Sequence, residues 1–173
     1  MAAGKSKRFK PISDYCPKGL SIVKGEVLIE RQIKQLQAVG IFDITIVVGY
    51  KKEMFFYLED KYNVKIVVNE HYDTQDNVSS LRLVLNRLDN TYICSVDNYY
   101  PENLFNSYEY QGFYSTVYVE DNLDEWVVST DESGFINDVK VGAPNGHIML
   151  GFVYFDREFS RNFKKVILDV EGI

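Results

Sequence analysis

Six cations, Lys5, Lys7, Arg8, Lys10, Lys18 and Lys24, precede Glu26, with Asp14 the only acid among them, although the whole chain carries a formal net charge of -6. A nucleic-acid binder spreads positive charge over a broad face, whereas here it gathers at one end, as a pocket for a small polyanion requires. A solvated basic terminus would have the same composition. The triplet Gly4-Lys5-Ser6 also closes a Walker A loop, but such a loop feeds straight into a helix, and Pro11 and Pro17 oppose one here. Two further stretches carry chemistry-bearing groups. "NEHYDTQDNVSS" (residues 69–80) is rich in amide, hydroxyl and carboxylate groups, and "TYICSV" is followed by Asp97-Asn98. A carboxylate just past a buried strand suits a hard divalent cation of the kind nucleotide phosphates bring, and it equally suits a turn cap.

Those residues acquire meaning from the elements that hold them. Residues 27–39 place Ile29, Ile33 and Leu36 on one helical stripe, with Gly40 as a stop. "ITIVV" (44–48) is an apolar run of buried-strand length. Residues 53–61 read as a helix, 64–68 as a strand, 78–88 as a helix and 91–96 as a third strand, which is a βαβ series with right-handed crossovers. After Asp97 the pattern turns antiparallel: "FYSTVYVE", "EWVVST", the turn "DESG", "FINDVKV" and "HIMLGFVYF", then an amphipathic stretch over 157–168. The expected fold is α/β, a Rossmann-like open mixed sheet flanked by helices, with an antiparallel β extension in the second half. In such sheets ligands settle beyond the carboxyl ends of the strands, so the post-strand residues are the ones that matter.

A length of 173 residues implies a single domain with a substantial core. Cys16 and Cys94 lie far apart without zinc or redox-dithiol spacing, so reduced thiols in a cytoplasmic protein are expected. Neither a signal peptide nor a membrane-length apolar run is present.

The order "AAGKSKRFKP", "CPKGL", "EVLIERQIKQLQAVGI", "ITIVVGYKKE", "NEHYDTQDNVSSL", "YICSVDNYY" resembles the bacterial small-molecule nucleotidyltransferases, nearest the phosphocholine cytidylyltransferase branch, across nearly the whole chain. The resemblance places Gly4-Lys5-Ser6 in that family's alanine-alanine-glycine nucleotide loop. It implies that the backbone of Ala2, Ala3 and Gly4, with Lys5, meets the nucleotide and that Arg8 meets the triphosphate. It makes Lys18 the cation bridging the reacting phosphates and Asp97 the Mg²⁺ ligand. Within 75–80, Gln75, Asn77, Ser79 and Ser80 stand near base and ribose, while Trp126, Glu125 and Tyr154 stand near the acceptor's cationic head, where an aromatic face attracts an ammonium. Read without the resemblance, Trp126 is a core or interface residue.

The implied activity is transfer of CMP from CTP to the phosphate or phosphonate of a small zwitterion such as phosphocholine, 2-aminoethylphosphonate or a phosphorylated amide, feeding surface polysaccharide or lipid decoration. Neither nucleic acid nor membrane is an expected partner, and a homodimer is compatible with the sequence. Ser6 departs from the family's second loop glycine, Lys7 from its small hydroxyl residue, and Ser95 from an aspartate common in relatives. The chain is expected to be short at both ends, lacking most of a first strand and a C-terminal metal-binding aspartate. A sugar-1-phosphate nucleotidyltransferase and a non-catalytic nucleotide-binding relative are the alternatives.

Overall fold

The computed structural model describes residues 1–74, 77–120 and 123–169. A short hairpin, β1 (Ile22–Val23) and β2 (Glu26–Val27), turns through Lys24-Gly25, both at positive φ, and leads into α1 (Leu28–Ala38). Then come β3 (Thr45–Val48), α2 (Tyr57–Tyr62), β4 (Lys65–Val68), α3 (Asn77–Arg82) and β5 (Thr91–Cys94). The second half runs through β6 (Phe113–Val119), β7 (Leu123–Thr130), β8 (Ile136–Ala143) and β9 (Gly146–Phe155) and ends in α4 (Arg157–Asp169).

β3 and β4 pair in parallel, Thr45 with Lys65 through Val48 with Val68. β5, β7 and β6 all pair antiparallel to β9, with β8 beyond β7. Residues 1–3 run between the two groups: Ala2 bridges Val48 in parallel, the Met1 nitrogen donates to the Cys94 carbonyl at 2.7 Å, and Val96 N–H donates to the Met1 carbonyl at 3.4 Å. The result is an open mixed sheet with flanking helices and an antiparallel extension. The expected helix over 78–88 is two pieces, because the chain leaves helical conformation at Val84 and resumes as a 3-10 turn, Leu85–Arg87.

Core formation explains why α1 sits where it does. Its Ile29 and Ile33 pack with Ile46, Val48, Phe55 and Leu58, whereas Leu36 packs on the other side with Tyr100, Phe105 and Phe152. Full burial of side chains such as Phe55 and Leu58 contributes roughly 1.5–3 kcal/mol each. One helix therefore ties the parallel pair to the antiparallel sheet. Among the described residues, no helix is long and apolar enough to cross a membrane.

Candidate active site

The carboxyl ends of β3, β4 and β5, together with the loop after Ala3, converge on one surface. Lys18 begins a 3-10 turn, Lys18–Leu20, behind Pro17, and its Nζ lies 2.6 Å from Asp97 Oδ2. Both side chains are more than a third exposed, so the pair faces solvent rather than closing a core contact. Their approach depends on Gly19. A Cβ there would lie 2.7 Å from Val96 Cγ2, so only a glycine lets the Lys18 turn sit against Val96, the residue before Asp97 in the turn that follows β5.

The loop that follows Ala3 is fixed at its root and open at its tip. Ala2 and Ala3 are buried, Ala2 N–H donates to Val47 O at 2.8 Å, and Ala3 O accepts from Tyr50 N–H at 3.0 Å. Gly4 has nothing within 4 Å of where a Cβ would stand, which leaves room beside the backbone. Ser6 takes a left-handed φ of 48°. Acids neutralise the loop cations in turn: Lys5 pairs with Asp73 at 3.2 Å and lies over the Tyr72 ring, Lys10 pairs with Asp14 at 3.4 Å, and Arg8, 95% exposed, reaches Glu125 at 3.6 Å. Exposed pairs of this kind contribute about 0–1 kcal/mol each, so exchanging the partner acid for another anion costs little.

Ser79 and Ser80 are buried, and both hydroxyls accept from Asn69 Nδ2, at 3.0 and 2.9 Å. Asn69 also donates its backbone N–H to Val48 O and accepts from His71 N–H, so it pins the start of α3 to the ends of β3 and β4. The two serines thus frame the site through Asn69, which sequence reasoning did not single out within "NEHYDTQDNVSS". Asn77 opens α3, while Gln75 lies outside the described residues.

The three residues assigned to the acceptor separate. Glu125 joins the loop through Arg8. Trp126 stands opposite Val141 on β7 and is 58% exposed, so it is not a core residue. Tyr154 is buried, its ring 5.0 Å from that of Tyr92 and stacked near Phe113. It pairs with Tyr92 near the start of β5, whereas Asp97 follows that strand's other end. Tyr154 therefore supports the aromatic core, and the structure does not bring it to the Lys18–Asp97 pair.

Also missing from the sequence reading were the polar groups of α1. Gln32 Nε2 donates to Ser95 O and Asn98 O, both at 2.9 Å, and Gln35 Nε2 donates to Tyr100 O and Glu102 O, both at 3.1 Å. Arg31 adds bonds to Tyr100 O and Pro101 O. Two amides three residues apart on an apolar helix stripe are the signal that could have revealed them.

No group of three or more potential metal-ligating side chains occurs among the described residues. Asp97 alone still fits a Mg²⁺ ion, which is commonly held by one or two carboxylates with waters and substrate phosphates filling the other positions. With Lys18 and the loop cations alongside, the arrangement can gather phosphate oxygens and neutralise charge between two anions.

Residues 1–108 match the MobA-like NTP transferase domain. The choline-phosphate cytidylyltransferase of Streptococcus pneumoniae is 38% identical over 156 residues, 90% of this chain and 68% of that protein. The 2-aminoethylphosphonate cytidylyltransferase of Lancefieldella rimae is 31% identical over 173 residues, 98% of this chain and 70% of that protein. The solved structure of the CTP:phosphocholine cytidylyltransferase from Streptococcus pneumoniae superposes with a TM-score of 0.93 at 36% identity, covering 99% of this chain and 76% of its own. A putative glucose-1-phosphate thymidylyltransferase from Bacillus anthracis shares the fold at a TM-score of 0.74 and 17% identity. The chain belongs to the MobA-like NTP transferase family.

Proposed function

We propose that the chain is a cytidylyltransferase that moves CMP from CTP to the phosphate or phosphonate oxygen of a small zwitterionic acceptor such as phosphocholine or 2-aminoethylphosphonate. The observation that carries this reading is the 2.6 Å approach of Lys18 to Asp97 beside the open Gly4 loop, in a chain 38% identical to a choline-phosphate cytidylyltransferase.

In the proposed reaction an acceptor oxygen attacks the α-phosphorus in line. The new O–P bond forms as the bond to the β-phosphate's bridging oxygen breaks, and pyrophosphate departs with that electron pair. The attacking oxygen is already anionic, so no side chain has to remove a proton. The protein's task is to position two anions and reduce their repulsion. Lys18 leaves Asp97 for the reacting phosphates, Arg8 and Lys5 turn to the triphosphate, and the backbone of Ala2 to Gly4 lies along the nucleotide. A magnesium ion held through Asp97 would supply further charge neutralisation at the phosphates. Glu125 and the exposed indole of Trp126 supply the groups an acceptor ammonium seeks. CTP as donor points to a cytoplasmic location, and such products are activated head groups for surface polysaccharide or lipid.

Pyrophosphate release tests the reading. The protein is incubated with CTP or UTP and, in turn, phosphocholine, 2-aminoethylphosphonate and glucose 1-phosphate, with Mg²⁺ or with EDTA. CTP- and Mg²⁺-dependent turnover on the zwitterions is the expected result. Turnover of UTP with glucose 1-phosphate would move the chain to the sugar-nucleotide branch, and silence with every pair would contradict catalysis.

A further inference from the structure

Asp97 sits in a turn whose neighbouring carbonyls are held from another element. Gln32 is 5% exposed, and the two hydrogens of its amide nitrogen go one each to Ser95 O and Asn98 O. Those carbonyls flank Asp97 on both sides. The same turn receives Gly151 O from β9, which accepts from Ser95 N–H at 2.8 Å, and it offers Asn98 Nδ2 to Leu150 O at 2.7 Å. The Gln32 amide joins the start of the turn to its end through a single side chain.

We propose that Gln32 is a positioning residue for the Asp97 carboxylate, setting its place relative to Lys18 and to a bound metal ion. The proposal rests on the reading of Asp97 as the metal-binding carboxylate. A buried amide that closes a four-residue turn leaves the intervening side chain few directions, and Asp97 Oδ2 consequently lies in the 2.6 Å contact with Lys18. Without the amide, Ser95 O and Asn98 O lose a buried donor, and the turn must rotate to find another. Groups that orient a metal ligand in this way carry about 10- to 100-fold in metal affinity or activity when removed.

The helix supplies its own control. Gln35, one turn along α1, is 8% exposed and likewise donates its amide to two backbone carbonyls, those of Tyr100 and Glu102. Residue type, burial and the number of bonds the amide nitrogen donates match; the targets differ, and Gln35 Oε1 is in addition a buried oxygen without a partner. A purely structural role predicts the same behaviour for both. A positioning role predicts that they part.

The test compares Gln32→Met and Gln35→Met with wild type in thermal unfolding, in Mn²⁺ affinity measured by electron paramagnetic resonance with CTP present, and in kcat against Mg²⁺ concentration. Both variants should lose melting temperature, Gln35→Met the less because it also removes a buried oxygen that has no partner. Gln32→Met alone should bind Mn²⁺ about tenfold or more weakly, with a parallel rise in the Mg²⁺ needed for half-maximal rate. Gln32→Glu, which keeps the length but not the donors, should do the same if the methionine variant fails to fold. Equal Mn²⁺ affinity in the two variants, or wild-type affinity in Gln32→Met, would overturn the proposal, as would a wild-type protein that binds no Mn²⁺. A wild type that binds Mn²⁺ and CTP yet transfers nothing contradicts the proposed function, and the affinity comparison still decides the role of Gln32.

Discussion

Substituting alanine for Gly19 introduces one methyl group at the place where the site is tightest. The new Cβ would stand 2.7 Å from Val96 Cγ2 and 3.0 Å from Val96 Cβ, inside van der Waals contact, at a residue whose backbone is otherwise ordinary. The turn must back away, and overpacking of this kind costs about 1–3 kcal/mol. Lys18 moves with the turn, and displacement of a charged group by up to about 1 Å can cost on the order of 10²-fold in rate. Gly19→Ala should therefore lose roughly 10- to 100-fold in kcat, with a fall in melting temperature. Val96→Ala removes the colliding methyl groups and by itself loses roughly 2 kcal/mol of apolar burial, with little effect on rate. In the double variant the alanine methyl occupies the space vacated by valine, leaving the close contact to the residue-96 Cβ. Its stability should be better than the sum of the single changes by at least about 1 kcal/mol, and much of the rate should return. Denaturant unfolding of all four proteins, with initial rates, closes the cycle. Additive losses, or a Gly19→Ala protein of full activity, would refute the steric account of how Lys18 is placed.

Lys18→Ala should lower kcat by about 10²- to 10³-fold while unfolding near the wild-type temperature, because the lysine is solvent-facing and the proposed reaction uses its charge on the reacting phosphates; near-normal turnover would remove it from the chemistry. Trp126→Ala should raise KM for the acceptor severalfold to about thirtyfold, leaving KM for CTP and the melting temperature unchanged, since the indole is exposed; parallel loss for both substrates would deny it the acceptor role. Glu30, buried on α1, gives an acid-stability prediction. Burial pushes its carboxyl pKa up, but Tyr62, Lys61 and Tyr57 all donate to it and together hold it at about 2 against an ordinary 4.5. Its contribution is complete above pH 4.5 and drains away as the pH falls toward 2, on the order of 3 kcal/mol in all. Urea unfolding between those limits should show the slope in wild type and lose it in Glu30→Gln, and parallel curves would contradict the network's role.

How much of this was legible beforehand differs between elements and partners. "ITIVV" and "VKIVV" became β3 and β4 in parallel register because apolar runs of strand length need cover on both faces. The four strands after Asp97 also emerged where alternation and turn residues suggested them. Periodicity names an element without naming its neighbour, however. That β9 would lie at the centre of the antiparallel sheet, or that Tyr154 would turn into the aromatic cluster rather than toward an acceptor, depends on pairing that no local window contains. The two-residue strands of the β1–β2 hairpin are too short to carry a period. At the site, Lys18 and Asp97 were noticed for their chemistry, and the fold brings them together across 79 positions. Gln32 and Gln35 act through backbone carbonyls far along the chain and Asn69 through hydroxyls ten and eleven residues on, and a glutamine in a helix has the same composition whether it faces water or clasps a turn.

The most direct measurement is phosphorus NMR of the wild-type protein with CTP, Mg²⁺ and phosphocholine, repeated with 2-aminoethylphosphonate. Transfer by in-line attack at the α-phosphorus predicts that the CTP resonances give way to a CMP-linked product of the acceptor and an equal amount of pyrophosphate. Release of free phosphate or CMP without an acceptor-linked product, or a spectrum that does not change with either acceptor, would contradict it.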